Sequence, residues 1–209
     1  RIKIDQLYSS NYNYDDNDLK FISFFFLENK EINVLDVGGG AGLHYHVLRS
    51  FSKIKIKWYV LETPEMVSRN KHHESNELKF IDNIDIIKES NIDLIYLNSV
   101  LQYINNPYSF LEKLFNINSK KIIITRTPFM TNHKEFYSVQ KSFLASNGPG
   151  PLPKGFSNSI VKYPLFSFNL NSFKNFVDKK NFKNINYVYQ NEWKMNGIEY
   201  KNMTILITK

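Results

Sequence analysis

The stretch Asp36-Val37-Gly38-Gly39-Gly40-Ala41-Gly42 closes the apolar run that begins at Val34 and opens a helical stretch at about 42–50. Glycines at 38, 40 and 42 permit a sharp turn and let the backbone approach a ligand with no Cβ in the way. A dinucleotide cradle needs Gly-x-Gly-x-x-Gly. Counted from Gly38, its third glycine falls on Leu43. The acidic Asp36 directly before the turn repels a pyrophosphate and suits a ligand that carries positive charge. A glycine-rich turn can be purely structural, but this one has a strand before it and a helix after it.

Outward from the turn, strand and helix signals alternate. Ile/Val/Leu-rich runs fall at 33–37, 56–61, 78–81, 93–98 and 121–126, with helical stretches near 64–71, 84–89 and 107–115. Pro64 and Pro107 sit where a helix begins, and there a missing N–H costs nothing. Buried strands alternating with helices predict an α/β fold, Rossmann-like, with a parallel, doubly wound sheet. After Thr125 the alternation stops. Residues 127–168 hold five prolines and no convincing long element, so they read as an insertion. A helix at about 169–180 then leads to strands near 183–190 and 202–208, joined as a hairpin by Asn196-Gly197. At the other end, 1–17 reads as a polar arm. Asp18 caps a helix through about Asn29 with Leu19, Ile22, Phe25 and Phe26 on one face. No repeat is visible, and 1–209 reads as one domain.

Composition narrows the chemistry. Of 209 residues, 42% are hydrophobic and 22% charged, as in ordinary globular proteins. With no cysteine there is no disulfide and no thiolate nucleophile. No apolar run approaches the roughly 18 residues a membrane span needs, Phe21 to Leu27 being the greasiest stretch, and a cytoplasmic location is expected. The net charge of +7 fits nucleic acid, an anionic membrane or an anionic substrate. It equally fits a Lys/Asn-rich composition, since the basic residues are spread out. Five histidines and no grouping at ligand spacing predict no metal site.

Three further positions join the glycine turn as candidate ligand contacts. Glu62 ends the strand Trp58-Tyr59-Val60-Leu61, where a carboxylate accepts hydrogen bonds from two ribose hydroxyls; its alternative is an acid ahead of the Pro64 helix. Asp82 and Asn83 follow the third strand, where an adenine amino group is read, though Asp-Asn is also a common turn pair. Asn98 and Ser99 end the fourth strand, at the carboxyl edge where open α/β sheets bind ligands.

Together, DVGGGAG, the acidic end of WYVLE and DLIYLNSVLQYINNP resemble class I S-adenosylmethionine (SAM)-dependent methyltransferases. More narrowly, ETPEMV (62–67), SVLQYINNPYSFL (99–111), ITRTPF (124–129), SVQK (138–141) and YPLFSF (163–168) resemble a small bacterial family found with surface-polysaccharide genes. The resemblance implies SAM as cofactor and a mostly parallel seven-stranded sheet with an antiparallel last strand and helices on both faces. Asp36, Gly38, Gly39, Gly40, Gly42, Glu62, Asp82, Asn83, Asn98 and Ser99 then become the expected cofactor contacts. It also implies an acceptor in capsule or O-antigen assembly, such as a nucleotide- or lipid-linked saccharide. The Asn/Asp-Pro-Pro-aromatic signature of amino-group methylation is absent, which argues against DNA bases.

For catalysis, positioning supplies much of the rate of methyl transfer. A base is needed only if the acceptor must lose a proton. His133, in the insertion soon after the fifth strand, is the candidate base; its alternative is an exposed loop histidine. His44 and Tyr45 open the helix after the glycine turn, and Gln102 and Tyr103 border the expected pocket. Arg126 is expected to end the fifth strand, where its charge needs a partner. The insertion 127–168 carries Lys134, Lys141, Lys154 and Lys162 against Glu135, and eight Phe/Tyr residues. Such a segment suits a lid over an anionic acceptor of phosphate or phosphoramidate type. The alternatives are an RNA methyltransferase, which should show a contiguous basic face, and a non-catalytic partner subunit.

Overall fold

A computed structural model of the chain describes residues 31–147, 152 and 154–209. The expected arm at 1–17 and the helix from Asp18 lie outside the described residues. The described chain divides into two compact units, with breaks at Ile92/Asp93, Gln140/Lys141 and Val161/Lys162.

In the first unit, β1 (Glu31–Val37), β2 (Lys55–Leu61) and β3 (Leu78–Ile81) pair in parallel, β2 between the other two. Ile32, Val34 and Leu35 of β1 are fully buried, as expected of a strand covered on both faces. Helix α1 (Leu43–Phe51) follows β1, and α2 (Pro64–Asn70) follows β2. Thr63 caps α2, its hydroxyl accepting the Met66 N–H at 3.4 Å, with Pro64 at the first helical position. The helix expected at 84–89 is a single 3₁₀ turn, Ile84–Ile87, capped by the Asn83 side chain.

In the second unit, β4 (Ile92–Asn98) leads through α3 (Pro107–Phe115) to β5 (Ser119–Met130). β5 borders β4 on one side and pairs antiparallel with β9 (Ile198–Thr208) on the other. β8 (Asn184–Met195) forms the expected hairpin with β9, and Asn196 and Gly197 both take the positive φ of its two-residue turn. Helix α4 (Leu170–Asp178) precedes β8.

The strand pairings are mixed and mostly parallel with an antiparallel last strand, as the α/β reading requires. Nine strands lie among the described residues, more than the seven expected. The additional two come from 127–168, where no long element was expected. β5 runs on to Met130, and β6 (Phe136–Phe143) and β7 (Ile160–Asn169) follow. The reason for the miss is physical. β6 alternates strictly, but it turns Ser138, Gln140 and Ser142 inward and leaves Tyr137, Val139 and Phe143 exposed. Its polar residues occupy the half-buried face, the reverse of the usual strand signature. Among the described residues no helix is long and apolar enough to cross a membrane.

Candidate functional site

The glycine turn is built from backbone constraints. Gly38, Gly40 and Gly42 take φ of 70°, 61° and 82°, a region that disfavours any side chain. Gly39 is required for a different reason: a Cβ there would lie 2.3 Å from Asp36 Oδ2. The turn is fixed to the next strand, since the Gly38 N–H donates to the Leu61 carbonyl at 2.9 Å. The Gly40 N–H donates to Glu62 Oε1 at 3.0 Å.

Asp36 does not face a ligand. It is fully buried beneath Gly39, where Oδ2 accepts the Trp58 indole N–H at 3.1 Å. His44 Nδ1 lies 3.0 and 3.2 Å from its two oxygens. Direct contact with a cation, expected from the sequence, would require displacing one of these partners or Gly39. The carboxylate instead ties β1, β2 and α1 together under the turn. Trp58 is the partner that sequence reading missed. Its signal was an indole in the middle of a buried strand, whose N–H must be satisfied.

Glu62 holds the turn from the end of the next strand. It is half-buried at the end of β2, where Oε1 holds Gly40 and Oε2 accepts the Thr63 N–H at 3.1 Å. Thr63, not Glu62, caps α2, so the acid is not serving as that helix's cap. Asp82 is exposed at the carboxyl end of β3. Asn83 is also exposed, but its Oδ1 accepts the Asp85 N–H at 2.9 Å, the turn role that competed with adenine recognition.

Tyr45 is misplaced for catalysis. Its hydroxyl donates to Glu77 Oε2 at 2.9 Å, beside the Arg49 Nε donor at the same distance. Glu77 precedes the first residue of β3, so this network sits at the edge opposite the glycine turn. Burial and then the Glu77 carboxylate push the Tyr45 hydroxyl above its ordinary value.

In the second unit, Asn98 is buried at the end of β4 and its amide donates to the Tyr96 hydroxyl at 2.9 Å. Ser99 takes a positive φ of 53°, and its N–H donates to the Thr125 carbonyl at 3.0 Å. Gln102 is 4% exposed, with Nε2 3.3 Å from Ser99 Oγ. Tyr103 donates to Gln140 Oε1 of β6 at 3.0 Å, and its ring packs edge-on against Tyr163 of β7. Burial pushes its hydroxyl up. Gln140 and Tyr163 lie in the SVQK and YPLFSF motifs, but nothing local showed that strands from that region bring them against Tyr103.

Arg126 does not end β5. It is the extra residue of a bulge, since β5 places Thr125 and Arg126 opposite the single Thr204 of β9. It is exposed with φ of 52°, so its charge imposes no burial cost. His133 lies further off. Ser99 is level with Thr125, and β5 continues five residues to Met130, about 16 Å beyond that level at the rise of a strand. His133 is exposed in the turn that follows, with Nδ1 3.2 Å from the Lys134 carbonyl. The strand rise thus separates His133 from the level of Ser99 along β5.

No family model matches the chain, and no curated protein matches it. Solved structures do. The N-terminal domain of EvdMO1 with S-adenosylhomocysteine (SAH) bound superposes with a TM-score of 0.59 at 14% identity, covering 92% of this chain and 82% of that one. SAM-bound CalS10, an amino pentose methyltransferase from Micromonospora echinaspora, gives 0.59 at 10% identity, covering 100% and 96%. A SAM-dependent methyltransferase from Clostridium acetobutylicum gives 0.54 at 15% identity, covering 99% and 97%. The fold is that of class I methyltransferases. In this methyltransferase fold the DVGGGAG turn and Glu62 occupy consecutive strand ends of the first unit, while Ser99 to Tyr103 follow a strand end of the second.

Proposed function

We propose that the chain is a SAM-dependent methyltransferase acting on a small-molecule or saccharide acceptor of surface-polysaccharide assembly, by O-methylation of a sugar hydroxyl or of a phosphate- or phosphoramidate-type group. One observation carries the cofactor assignment: Glu62, at the end of β2, holds the Gly40 N–H of a turn too glycine-rich to carry side chains. Those residues fit SAM. Glu62 would hold the ribose diol, the turn backbone would lie along the nucleoside, and exposed Asp82 is free of the capping duty that occupies Asn83. Asp36 serves indirectly, by fixing the turn from below. Bound SAM supplies an electrophilic methyl group.

On the acceptor side, the strained Ser99 and Arg126 support a site at the carboxyl end of β4, level with the bulge of β5, because non-glycine residues held at positive φ cluster at functional positions. With His133 displaced along β5, an acceptor oxygen that already carries charge is favoured, since it needs no base. Arg126 would then grip it with a planar fork, and Arg126→Lys should raise the acceptor's KM while leaving SAM binding unchanged. The amino pentose methyltransferase among the fold's neighbours supports a sugar-based acceptor.

The test is transfer of labelled methyl from SAM to three acceptor pools: nucleotide-linked sugars, lipid-linked oligosaccharides and total RNA. Label in either saccharide pool is expected. Label confined to RNA would replace this reading with the RNA methyltransferase.

A further inference from the structure

The turn after β4 carries a buried amide with bonding capacity to spare. Gln102 is 4% exposed, and its Oε1 has no hydrogen-bond partner among the described residues. Its Nε2 lies 3.3 Å from Ser99 Oγ, a long contact, and the side chain also bonds the neighbouring Tyr103 hydroxyl. Exchanging the amide's two ends does not remove the deficit, because the outer end would then be an unpaired N–H₂. A buried polar group left unpaired bears its desolvation cost with no bond to offset it. The fold keeps this cost at a place where backbone strain is also kept, at Ser99 with its φ of 53°.

Beside the amide stands an aromatic wall. Tyr103 and Tyr163 meet edge-on with ring centroids 5.9 Å apart. Tyr103 is fixed by its hydrogen bond to Gln140, and 37% of it remains exposed. The Asn106 N–H donates to the Tyr137 hydroxyl of β6 at 3.3 Å, so the turn after β4 is held to β6 at two points. A fixed aromatic surface next to one unsatisfied amide, with Ser99 Oγ as a second hydroxyl partner, is a combination of apolar face and few oriented polar groups. It matches a ring whose C–H face is apolar and whose edge bears hydroxyls.

We propose that Gln102 is a specificity-determining residue for a sugar-ring acceptor, its amide bonding a ring hydroxyl while the ring lies against Tyr103 and Tyr163. This rests on the methyltransferase reading for the identity of the bound molecule as an acceptor, but the sugar site can be measured without the cofactor.

The experiment is saturation-transfer NMR on the full chain, with D-galactose, D-fucose and D-glucosamine as probes, alongside calorimetric titration of SAH. The expected result is saturation of the ring protons of at least one sugar. Its Kd should rise about tenfold in Gln102→Met, the loss of one hydrogen bond. A comparable rise is expected in Tyr163→Leu, which removes the aromatic face from a different strand, with SAH affinity unchanged in both. Gln102→Met keeps a side chain of similar length and relieves the unpaired amide, so its thermal stability should not fall; it carries the test if Tyr163→Leu, which gives up volume at a half-buried position, is less stable. Binding of no sugar by the wild type, or unchanged sugar affinity in Gln102→Met, overturns the proposal. Sugar binding with no SAH binding would leave the sugar site standing and sink the methyltransferase reading instead.

Discussion

The glycine turn of the first unit and the Ser99–Tyr103 turn of the second both follow a sheet strand, yet they are held in opposite ways. The first is fixed by what lies next to it in sequence and in the next strand: three positive-φ glycines, one glycine with no room for a Cβ, and two carboxylates within the β1–β2 pair. The second is assembled from distant segments, Tyr103 meeting Gln140 and Tyr163 thirty-seven and sixty positions away. Its positive φ sits on serine rather than glycine. The lesson is that a cradle for an invariant ligand part can be written locally. A surface for a variable one is supplied by whichever strands the insertion brings.

The comparison breaks first at Asp36. Asp36→Ala leaves the Trp58 indole and the His44 ring without their buried acceptor, and about 3 kcal/mol of stability should be lost. Chemical denaturation of the variant checks this. A loss under about 1 kcal/mol would mean that the turn is not held from below.

Glu62→Ala comes next. It removes the group proposed for the ribose diol and should weaken SAH binding by about 2–3 kcal/mol, on the scale of charge-assisted hydrogen bonds. Its stability cost should be only about 1 kcal/mol, because the site is half-buried and the freed Gly40 and Thr63 N–H groups can be hydrated. Equal losses in binding and stability would make Glu62 a second Asp36, purely structural.

Much of this was legible in the sequence because it is periodic or backbone-driven. The runs at 33–37, 56–61 and 78–81 are strands, the Pro64 and Pro107 helices begin where their prolines sit, and Asn196-Gly197 closes the hairpin. What was not legible has two causes. β6 carries Ser138, Gln140 and Ser142 inward and Tyr137 and Phe143 outward, and β7 is interrupted by Pro164, so neither reads as a plain strand with one apolar face. The sequence also gives no sign that β5 continues past its bulge, and that extension moves His133 away and turns Arg126 from a strand end into a bulge residue. The roles of Asp36 and Tyr45 depended on where their side chains point, inward to Trp58 and across to Glu77. Spacing does not encode those directions.

Two smaller effects sharpen the acceptor side. Arg126→Gly relieves a positive φ and should raise thermal stability by up to about 1 kcal/mol while weakening an anionic acceptor. A loss of stability there would mean that the arginine's contacts outweigh its strain. His133→Ala should leave stability and turnover near wild type, since the residue is exposed and past the end of β5. An inactive His133→Ala enzyme would restore the histidine as base and remove the case for a charged acceptor.

The central claim is that the DVGGGAG turn with Glu62 receives SAM and not a dinucleotide. Calorimetric titration of SAH and of NAD into the wild-type chain tests it most directly. Micromolar-range binding of SAH with no heat from NAD is the predicted result; binding of NAD with none of SAH would contradict it.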